Sequence, residues 1–410
     1  MKITNIKARE ILDSRGNPTV EVELSTKKHT VTASVPSGAS TGTHEVLELR
    51  DHQKRFLGKG VKKAISNIEN KIAPKIIGKS PTKQQELDQL MIDLDGTANK
   101  TKLGANAILA VSLAVAKLAA TEKNLPLYKY LAKLAKTKPS LPKAFFNVIN
   151  GGKHADNKLS FQEFMIVPQY SNYKKNLQAA SEIYHILKKD LHKRYGKGTT
   201  NVGDEGGFAP EKLNTAKAAL TILQQAIKDA GYKNKVKIAF DAAASEFYKN
   251  GKYKVDGKKM SKEKLFTYYL KLIKDHPIIS IEDPFEQEDF ESFSKLNRQT
   301  KIQIVGDDLT VTNINRIQLA INNYSCNCLL LKVNQIGTLT EALQAVKLAY
   351  KNNWKVMVSH RSGETEDTFI ADLAVALGCG QIKAGAPARG ERTAKYNRLL
   401  RISEVLKQRH

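Results

Sequence analysis

The chain has 410 residues, and 41% of them are hydrophobic, which is enough for a barrel of about 250 residues with an added domain. Lys and Arg number 66 against 41 Asp and Glu, so the formal net charge is +25. The opening MKITNIKARE has no apolar core, and the most apolar stretch, residues 106–120, is too short to span a bilayer. A soluble cytoplasmic protein without a membrane span is expected. Three cysteines and no P-loop argue against a disulfide framework, structural zinc and ATP hydrolysis.

The first 135 residues predict a separate α+β domain. Residues 3–12, 20–24 and 30–35 alternate like a small antiparallel sheet, and helical stretches follow to about residue 134. PSGASTG, residues 36–42, is a Gly/Ser-rich loop of the kind that closes over a site. The Pro- and Lys-containing connector KTKPSLPK then separates this part from the rest. The predicted domains are residues 1–135 and 136–410.

The second predicted domain repeats a short apolar run followed by a helical stretch. This rhythm suits a closed eightfold β/α barrel, in which the ends of the strands converge on one mouth. Six runs end in an ionisable residue. These residues are Asp241, Glu282, Asp307, Lys332, His360 and Lys383. Any one alone is more often an ordinary residue between strand and loop, but six in series favour a shared active site.

The three carboxylates of this series suit a metal ion. Asp241, Glu282 and Asp307 supply hard oxygen ligands without a competing His or Cys, which favours Mg²⁺. Lys332 or Lys383 beside a divalent cation would have a lowered pKa and could act as a neutral base. The alternative is that both lysines only pair with carboxylates.

Three further segments carry candidate site residues. NGGKHADNKLSFQEFM contributes His154, Gln162 and Glu163, and VGDEGG places Glu205 on a glycine-rich loop. A carboxyl near other acids can stay protonated and act as a general acid, although a glycine-flanked acid is usually only a turn.

The third segment is SHRSGETEDT, where Arg361 and Ser362 follow His360. Arginine with an adjacent hydroxyl is a suitable receptor for a phosphate. The expected ligand is a small anion.

These motifs together resemble the enolase family, and the resemblance runs through the whole chain in family order. The segments that carry it include DSRGNPTVEVEL, SGASTG, LGANAILAVSLA, NGGKHADN, QEFM, GDEGG, SIEDPF, GDDLTVTN, LLLKVNQIGT, SHRSGETEDT and GQIKAGAPARGERTAKYNRLLRI. The resemblance implies a TIM-like barrel with an N-terminal α+β domain. It also implies Mg²⁺-dependent, reversible dehydration of 2-phosphoglycerate to phosphoenolpyruvate in glycolysis and gluconeogenesis.

The resemblance also implies residue roles. Lys332 would be the base at C2, Glu205 the acid at the C3 hydroxyl, and Glu163 would belong with Glu205. Asp241, Glu282 and Asp307 would hold the first of two Mg²⁺ ions, and Ser40 would hold the second, which arrives with substrate. Lys383 would bind the substrate carboxylate. The remaining predicted substrate-binding residues are His154, Gln162, His360, Arg361 and Ser362.

Three positions depart from the family pattern, and none is a predicted site residue. Ala98 stands where Glu is frequent, Ala384 where Thr usually follows the lysine, and Ser403 where a closing motif has Glu. The resemblance implies a homodimer, or a higher assembly such as an octamer. Residues available to pair between subunits are Arg9, Glu21, Arg401 and Glu404.

Two rival functions stay open at this point. The first is a different enolase-superfamily reaction on another carboxylate, against which the QEFM, GDEGG and SGASTG segments argue. The second is weak polyanion or RNA binding, or adhesion from a secondary cell-surface or secreted pool, suggested by the +25 charge. The lysines are spread along the chain and not gathered in one arm, which is more typical of a solvated basic surface.

Overall fold

A computed structural model describes residues 1–196 and 198–407. The chain begins with three antiparallel strands, β1 (Asn5–Leu12), β2 (Pro18–Ser25) and β3 (Thr30–Ser34), with β2 in the middle. The predicted N-terminal sheet is thus confirmed. Val20 and Leu24 on β2 are fully buried because they lie on the face that meets the helices.

Helices complete the N-terminal part. They are α1 (Lys62–Asn67), α2 (Ala73–Ile76), α3 (Gln84–Asp95), α4 (Ala105–Glu122) and α5 (Leu127–Ala135). A π-helical turn, Ile68–Ile72, joins α1 to α2. In the described chain, α4 alone is long and apolar enough to cross a membrane, but 83% of it is buried inside the protein. Length and composition alone do not distinguish a membrane-spanning helix from a buried core helix such as this one.

The second part is a closed barrel of eight strands. In barrel order they are β4 (Lys143–Asn150), β5 (Glu163–Pro168), β6 (Val236–Asp241), β10 (Ile278–Glu282), β11 (Gln303–Gly306), β12 (Cys328–Leu331), β13 (Lys355–Ser359) and β14 (Gly380–Lys383). Between β6 and β10 the chain forms a separate antiparallel sheet of β7 (Tyr248–Lys249), β8 (Lys252–Val255) and β9 (Lys258–Met260). The predicted barrel is confirmed.

Helices lie between the barrel strands and after the last one. They are α6 (Tyr173–Tyr195), α7 (Ala216–Asp229), α8 (Lys262–Asp275), α9 (Phe290–Gln299), α10 (Ile314–Asn322), α11 (Val333–Ile336), α12 (Leu339–Lys351), α13 (Phe369–Leu377) and α14 (Gly390–Lys407). Six of them begin after a side chain that accepts a backbone N–H of the first turn. These N-caps are Asn172, Thr215, Ser261, Asp289, Asn313 and Thr338.

One barrel strand runs against the others, which differs from the fully parallel sheet expected from the strand and helix rhythm. β5 is antiparallel to both β4 and β6. No crossover α-helix separates β4 from β5, so the chain returns directly and reverses direction. As a result the first residue of β5, Glu163, lies beside the last residue of β6, Asp241.

Side chains that point into the barrel form a small apolar cluster below the mouth. Its members are Phe145, Met165, Val167, Ala239, Val305, Cys328, Leu330 and Met357. Cys326, Cys328 and Cys379 are free thiols, as expected. Burial raises the pKa of the Cys379 thiol to about 11 and that of Cys328 well above its usual range, so these thiols are unreactive at neutral pH.

Candidate active site

The six ionisable residues predicted at strand ends all lie at the same mouth of the barrel. Asp241, Glu282 and Lys383 end β6, β10 and β14, and Asp307, Lys332 and His360 directly follow β11, β12 and β13. A small cavity lies among them. It is lined by Ser40, His154, Gln162, Glu163, Glu205, Asp307, Lys332, Ser359, His360, Arg361, Ser362 and Lys383. Of the predicted site residues only Asp241 and Glu282 do not line this cavity. Ser359 lines it but was not predicted from the sequence.

Lys383 occupies the centre of the acidic side of the mouth. Its Nζ lies 2.7 Å from Glu282 Oε1, 3.1 Å from Glu163 Oε1 and 3.8 Å from Asp241 Oδ2. Burial lowers the pKa of Lys383, but these three carboxylates outweigh burial, and the pKa lies well above its usual range. Lys383 is therefore a fixed positive charge, suited to binding a carboxylate and unsuited to acting as a base.

Lys332 is paired with Asp307. Its Nζ donates a 2.5 Å hydrogen bond to Asp307 Oδ2, while Gln335 Nε2 donates to Asp307 Oδ1 at 2.8 Å. Burial lowers the pKa of Lys332, the Asp307 carboxylate raises it, and the balance lies above the ordinary value. The Asp307 carboxylate therefore favours the protonated form of Lys332. The neutral base expected from the sequence applies to a lysine beside a divalent cation, and it stays a prediction.

The predicted metal ligands Asp241, Glu282 and Asp307 offer buried carboxylate oxygens, but they are not one of the described groups of three whose ligand atoms all lie within 4.8 Å of one another. Glu282 Oε2 is buried and has no hydrogen-bond partner among the described residues. Glu282 pairs in register with Asp241 on the neighbouring strand, and Asp307 follows the next strand. Burial and the neighbouring acids raise the pKa of Asp241 well above its usual range, so these carboxylates need additional positive charge. Oxygen donors of this kind suit Mg²⁺.

A second acidic group shares Asp307 with the predicted metal ligands. Its other two members, Asp283 and Asp308, were not identified from the sequence. Asp283, Asp307 and Asp308 each place a carboxylate oxygen within 4.8 Å of the others, a geometry that could hold a metal ion. Asp283 accepts the backbone N–H groups of Asp307 and Asp308 at 2.9 and 2.6 Å, so it orients the segment that carries Asp307. Burial, and then Asp307, raise the pKa of Asp308 to about 8. The paired acids of SIEDPF and GDDLT were the available signal.

Glu205 lies on the opposite side of the cavity between two histidines. His154 Nδ1 is 3.4 Å from Glu205 Oε1, and His360 Nε2 is 3.3 Å from Oε2. Asn147 Nδ2 donates to Oε2 at 2.9 Å. Burial lowers the pKa of both His154 and His360 to about 4, so both rings are neutral at neutral pH.

Glu163 and Glu205 are neighbouring buried acids whose pKa values shift in opposite directions. Burial, and then the charge of Glu205, raise the pKa of Glu163 to about 8, so Glu163 carries a proton at neutral pH. Burial raises the pKa of Glu205, but the charges of His154 and His360, followed by that of Arg392, lower it to well below its usual range. Because both histidines are neutral at neutral pH, the part of this lowering that comes from their charge is absent there. The protonated Glu205 expected for the glycine-rich loop stays a prediction.

Arg392 organises this side of the site and was missed from the sequence. It is fully buried, and its guanidinium donates to the carbonyls of Asp204, Arg361 and Ser362 and to His360 Nδ1. Because a guanidinium can only donate, His360 Nδ1 accepts and Nε2 carries the proton that faces Glu205. Arg392 therefore fixes the tautomer of His360. The segment GAPARGERT gave no signal for this role.

The predicted phosphate receptor and the predicted loop contact each other. Arg361 donates to both carboxylate oxygens of Glu45 at 2.9 and 3.1 Å and to the carbonyl of Ser40 at 3.0 Å. Ala39 N donates to Ser362 Oγ at 2.6 Å, and Ser37 and Gly363 exchange two backbone hydrogen bonds. The loop of residues 36–42 thus lies closed over the site. Glu45, which shares Arg361 with the loop, was missed from the sequence.

Some of the residues predicted to pair between subunits form ion pairs within the chain instead. Arg9 pairs with Glu21 and Glu23 at 2.7 Å each, whereas Arg401 and Glu404 are exposed. Ser403 is buried and donates to the Leu400 carbonyl. Ala384 is fully buried directly after Lys383. No described contact gives the substitution at Ala98 a role.

Comparison with known proteins agrees with this geometry. Residues 3–131 match the family profile described as the enolase N-terminal domain, and residues 138–410 match the enolase C-terminal TIM barrel domain. The chain is also 58% identical to an enolase of Methanocaldococcus jannaschii over 407 residues, which covers 99% of this chain and 96% of that relative. The chain belongs to the enolase family.

Family membership at this identity gives the activity. The enzyme is a phosphopyruvate hydratase, a lyase of class EC 4.2.1.11, which interconverts 2-phosphoglycerate and phosphoenolpyruvate. The barrel mouth contains acidic groups that could bind the metal on which the family depends. Glycolysis, magnesium binding and lyase activity follow from the enolase family.

Proposed function

We propose that this enolase removes the C2 proton of 2-phosphoglycerate with Lys332 and protonates the departing C3 hydroxyl with Glu205. The supporting observation is that Lys332 and Glu205 line one cavity, together with the Glu163 that carries a proton. The electron pair of the C2–H bond becomes the C2–C3 double bond, the C3–O bond breaks, and the hydroxide leaves as water. Base and acid on different sides of the cavity suit this elimination.

The metal ions are part of the same proposal. Asp241, Glu282 and Asp307 would hold one Mg²⁺, and Ser40 on the loop would hold a second that arrives with substrate. When bound, Mg²⁺ supplies charge that stabilises the dianionic intermediate and offsets Asp307, which lets Lys332 lose its proton. The unpartnered Glu282 Oε2 supports the first site.

The remaining predicted residues bind and orient the substrate. Lys383, whose pKa the neighbouring carboxylates raise, neutralises the substrate carboxylate. Arg361 and Ser362 receive the phosphate, which takes the place of loop contacts they make in the closed arrangement. His154 and Gln162 line the wall near Glu163. Glu163, whose pKa is raised to about 8, would assist Glu205 at the departing hydroxyl.

Turnover measurements test this proposal. Wild type should form phosphoenolpyruvate from 2-phosphoglycerate only with Mg²⁺, and should not act on a phosphate-free 2-hydroxy acid. Lys332→Ala should abolish turnover, whereas Lys355→Ala, at the exposed opposite end of the barrel, should not change it. Turnover by Lys332→Ala, or use of the phosphate-free acid, would contradict the assigned base or the assigned substrate.

The proposal also covers the assembly, the location and the domain division of the enzyme. We propose a cytoplasmic homodimer, which pairs through Arg401 and Glu404 near Ser403, with an octamer as the larger alternative. A mass of 45.5 kDa in solution would exclude any assembly.

We propose a division into residues 1–135 and 136–410, supported by the end of α5 at Ala135. No described feature supports a cell-surface or secreted pool.

Weak polyanion binding is proposed as a property additional to catalysis. Its support is the formal net charge of +25. Retention on a phosphate-bearing polymer at physiological salt would agree with it, and flow-through would exclude it.

A further inference from the structure

A small sheet at the barrel mouth carries an unusual density of positive charge. It consists of β7, β8 and β9 and follows Asp241 in the loop after β6, and it is called the lysine sheet below. Tyr253 and Val255 of β8 are buried against the barrel, so the residues that alternate with them face solvent. The outward residues of β8 are Lys252 and Lys254.

Lysines face lysines across this sheet. Lys249 on β7 lies opposite Lys252, and Lys259 on β9 lies opposite Lys254. Directly opposite residues of antiparallel strands share a face, so four ammonium groups extend from one surface, and like charges so placed destabilise the sheet. Lys258 adds a fifth exposed lysine at the edge.

These positive charges have no partners within the described residues. None of the five lysines forms an ion pair or a side-chain hydrogen bond there, although many other lysines of the chain do. The acids nearby in sequence are engaged elsewhere. Glu246 pairs with Lys153, and Asp256 accepts from Ala216 N and the Tyr268 hydroxyl. The charge of the lysine sheet is therefore directed to solvent.

We propose that the lysine sheet binds the phosphate backbone of a single-stranded nucleic acid. Same-face lysines on β8 stand about 6.6 Å apart and neighbouring strands about 4.8 Å apart, which gives a block of charges that suits an evenly charged polymer. A folded acidic protein would need an apolar contact surface, and the outward face consists of lysines.

This inference gives a location to the proposed polyanion binding and is independent of the enolase reaction. It also accounts for the opposed lysines, because an anionic strand lying across the face removes their repulsion. A solvated basic surface, the other explanation of the charge, gives no reason for two directly opposed lysine pairs.

Two variants with the same loss of charge test the location. The first replaces Lys249, Lys252, Lys254 and Lys259 with Gln. The second replaces Lys174, Lys175, Lys188 and Lys189, four exposed lysines of α6 without ion pairs in the described chain. Binding of a fluorescein-labelled oligouridylate of about 12 nucleotides is measured by anisotropy between roughly 50 and 200 mM salt.

We expect the sheet variant to bind at least about tenfold more weakly and to reduce the slope of log K against log salt by about 3, since single strands contribute about 0.7 per phosphate contact. The α6 variant should retain slope and affinity within about twofold. Both variants should keep wild-type turnover of 2-phosphoglycerate, which separates this inference from catalysis.

Three results would overturn the inference. Equal weakening of both variants would mean that binding reflects total charge and not the lysine sheet. Absence of wild-type binding would also remove the proposed polyanion binding, while leaving the enolase assignment intact. Equal affinity for duplex RNA, lost to the same extent in the sheet variant, would exclude the preference for a single strand.

Discussion

Single residues at the barrel mouth balance each other's charge. Lys383 contacts three buried carboxylates, and Lys332 contacts a fourth. Removing one partner of a buried ion pair leaves an uncompensated charge, which is more destabilising than the intact pair is stabilising. The substrate-binding lysine is therefore also a structural requirement.

We predict that Lys383→Met lowers the free energy of unfolding by about 3 to 5 kcal/mol in the presence of a chelator. Added Mg²⁺ should restore part of this loss, because a cation can replace the ammonium group among the carboxylates. Urea denaturation provides the measurement, and Lys355→Met, an exposed lysine of the same barrel, is the control. A loss under about 1 kcal/mol would show that the carboxylates are protonated instead of paired.

The raised pKa of Glu163 predicts a pH dependence of stability. A carboxyl with a pKa of about 8 in the folded state and 4.5 otherwise binds its proton more tightly when folded. Its contribution is fully present below pH 4.5 and is lost as pH rises through 8. Glu163→Gln keeps the neutral form at all pH values.

Glu163→Gln should therefore gain stability relative to wild type as pH rises from 4.5 to 8, by about 5 kcal/mol, and the gap should be constant above that range. Denaturation of both proteins in chelator across this pH range measures the gap. A gap that does not change with pH would mean that Glu163 is ionised throughout.

At the scale of elements, the reversal of β5 decides how the site is assembled. Parallel strands alone bring only their C-terminal ends to the mouth, whereas the antiparallel β5 brings its first residue, Glu163. The ends of six of the other seven strands could be read from the sequence because each of those apolar runs stops at an ionisable residue. The reversal could not, because β5 has the same apolar texture as its parallel neighbours.

The loop of residues 36–42 offers a test at the same scale. A Cβ at Gly38 would overlap the guanidinium of Arg361, which Glu45 and Asn334 hold in place. We predict that Gly38→Ala displaces the loop or Arg361 and lowers kcat/KM for 2-phosphoglycerate roughly 10- to 100-fold, with unchanged thermal stability.

Steady-state kinetics measure this effect. Gly390→Ala is the matched control, because a Cβ there meets nothing within 4 Å. Wild-type kcat/KM in Gly38→Ala would indicate that the loop does not form part of the working site.

For the whole molecule, the sequence predicted the barrel, the N-terminal sheet and most of the cavity lining. It did not predict Asp283, Glu45 or Arg392, because their roles depend on contacts between segments distant in the chain. Nor did it predict protonation. Whether Glu163 or Glu205 holds the proton, and whether Lys332 is charged, depend on burial and on distances that only the folded chain defines.

Lys332 as the base and Glu205 as the acid divide the reaction between them, and isotope exchange tests this assignment most directly. With 2-phosphoglycerate deuterated at C2, loss of deuterium to water reports the base, and formation of phosphoenolpyruvate reports the acid. Glu205→Gln should retain Mg²⁺-dependent exchange while losing dehydration, and Lys332→Ala should lose both. Exchange that persists in Lys332→Ala, or disappears in Glu205→Gln, would contradict the assignment.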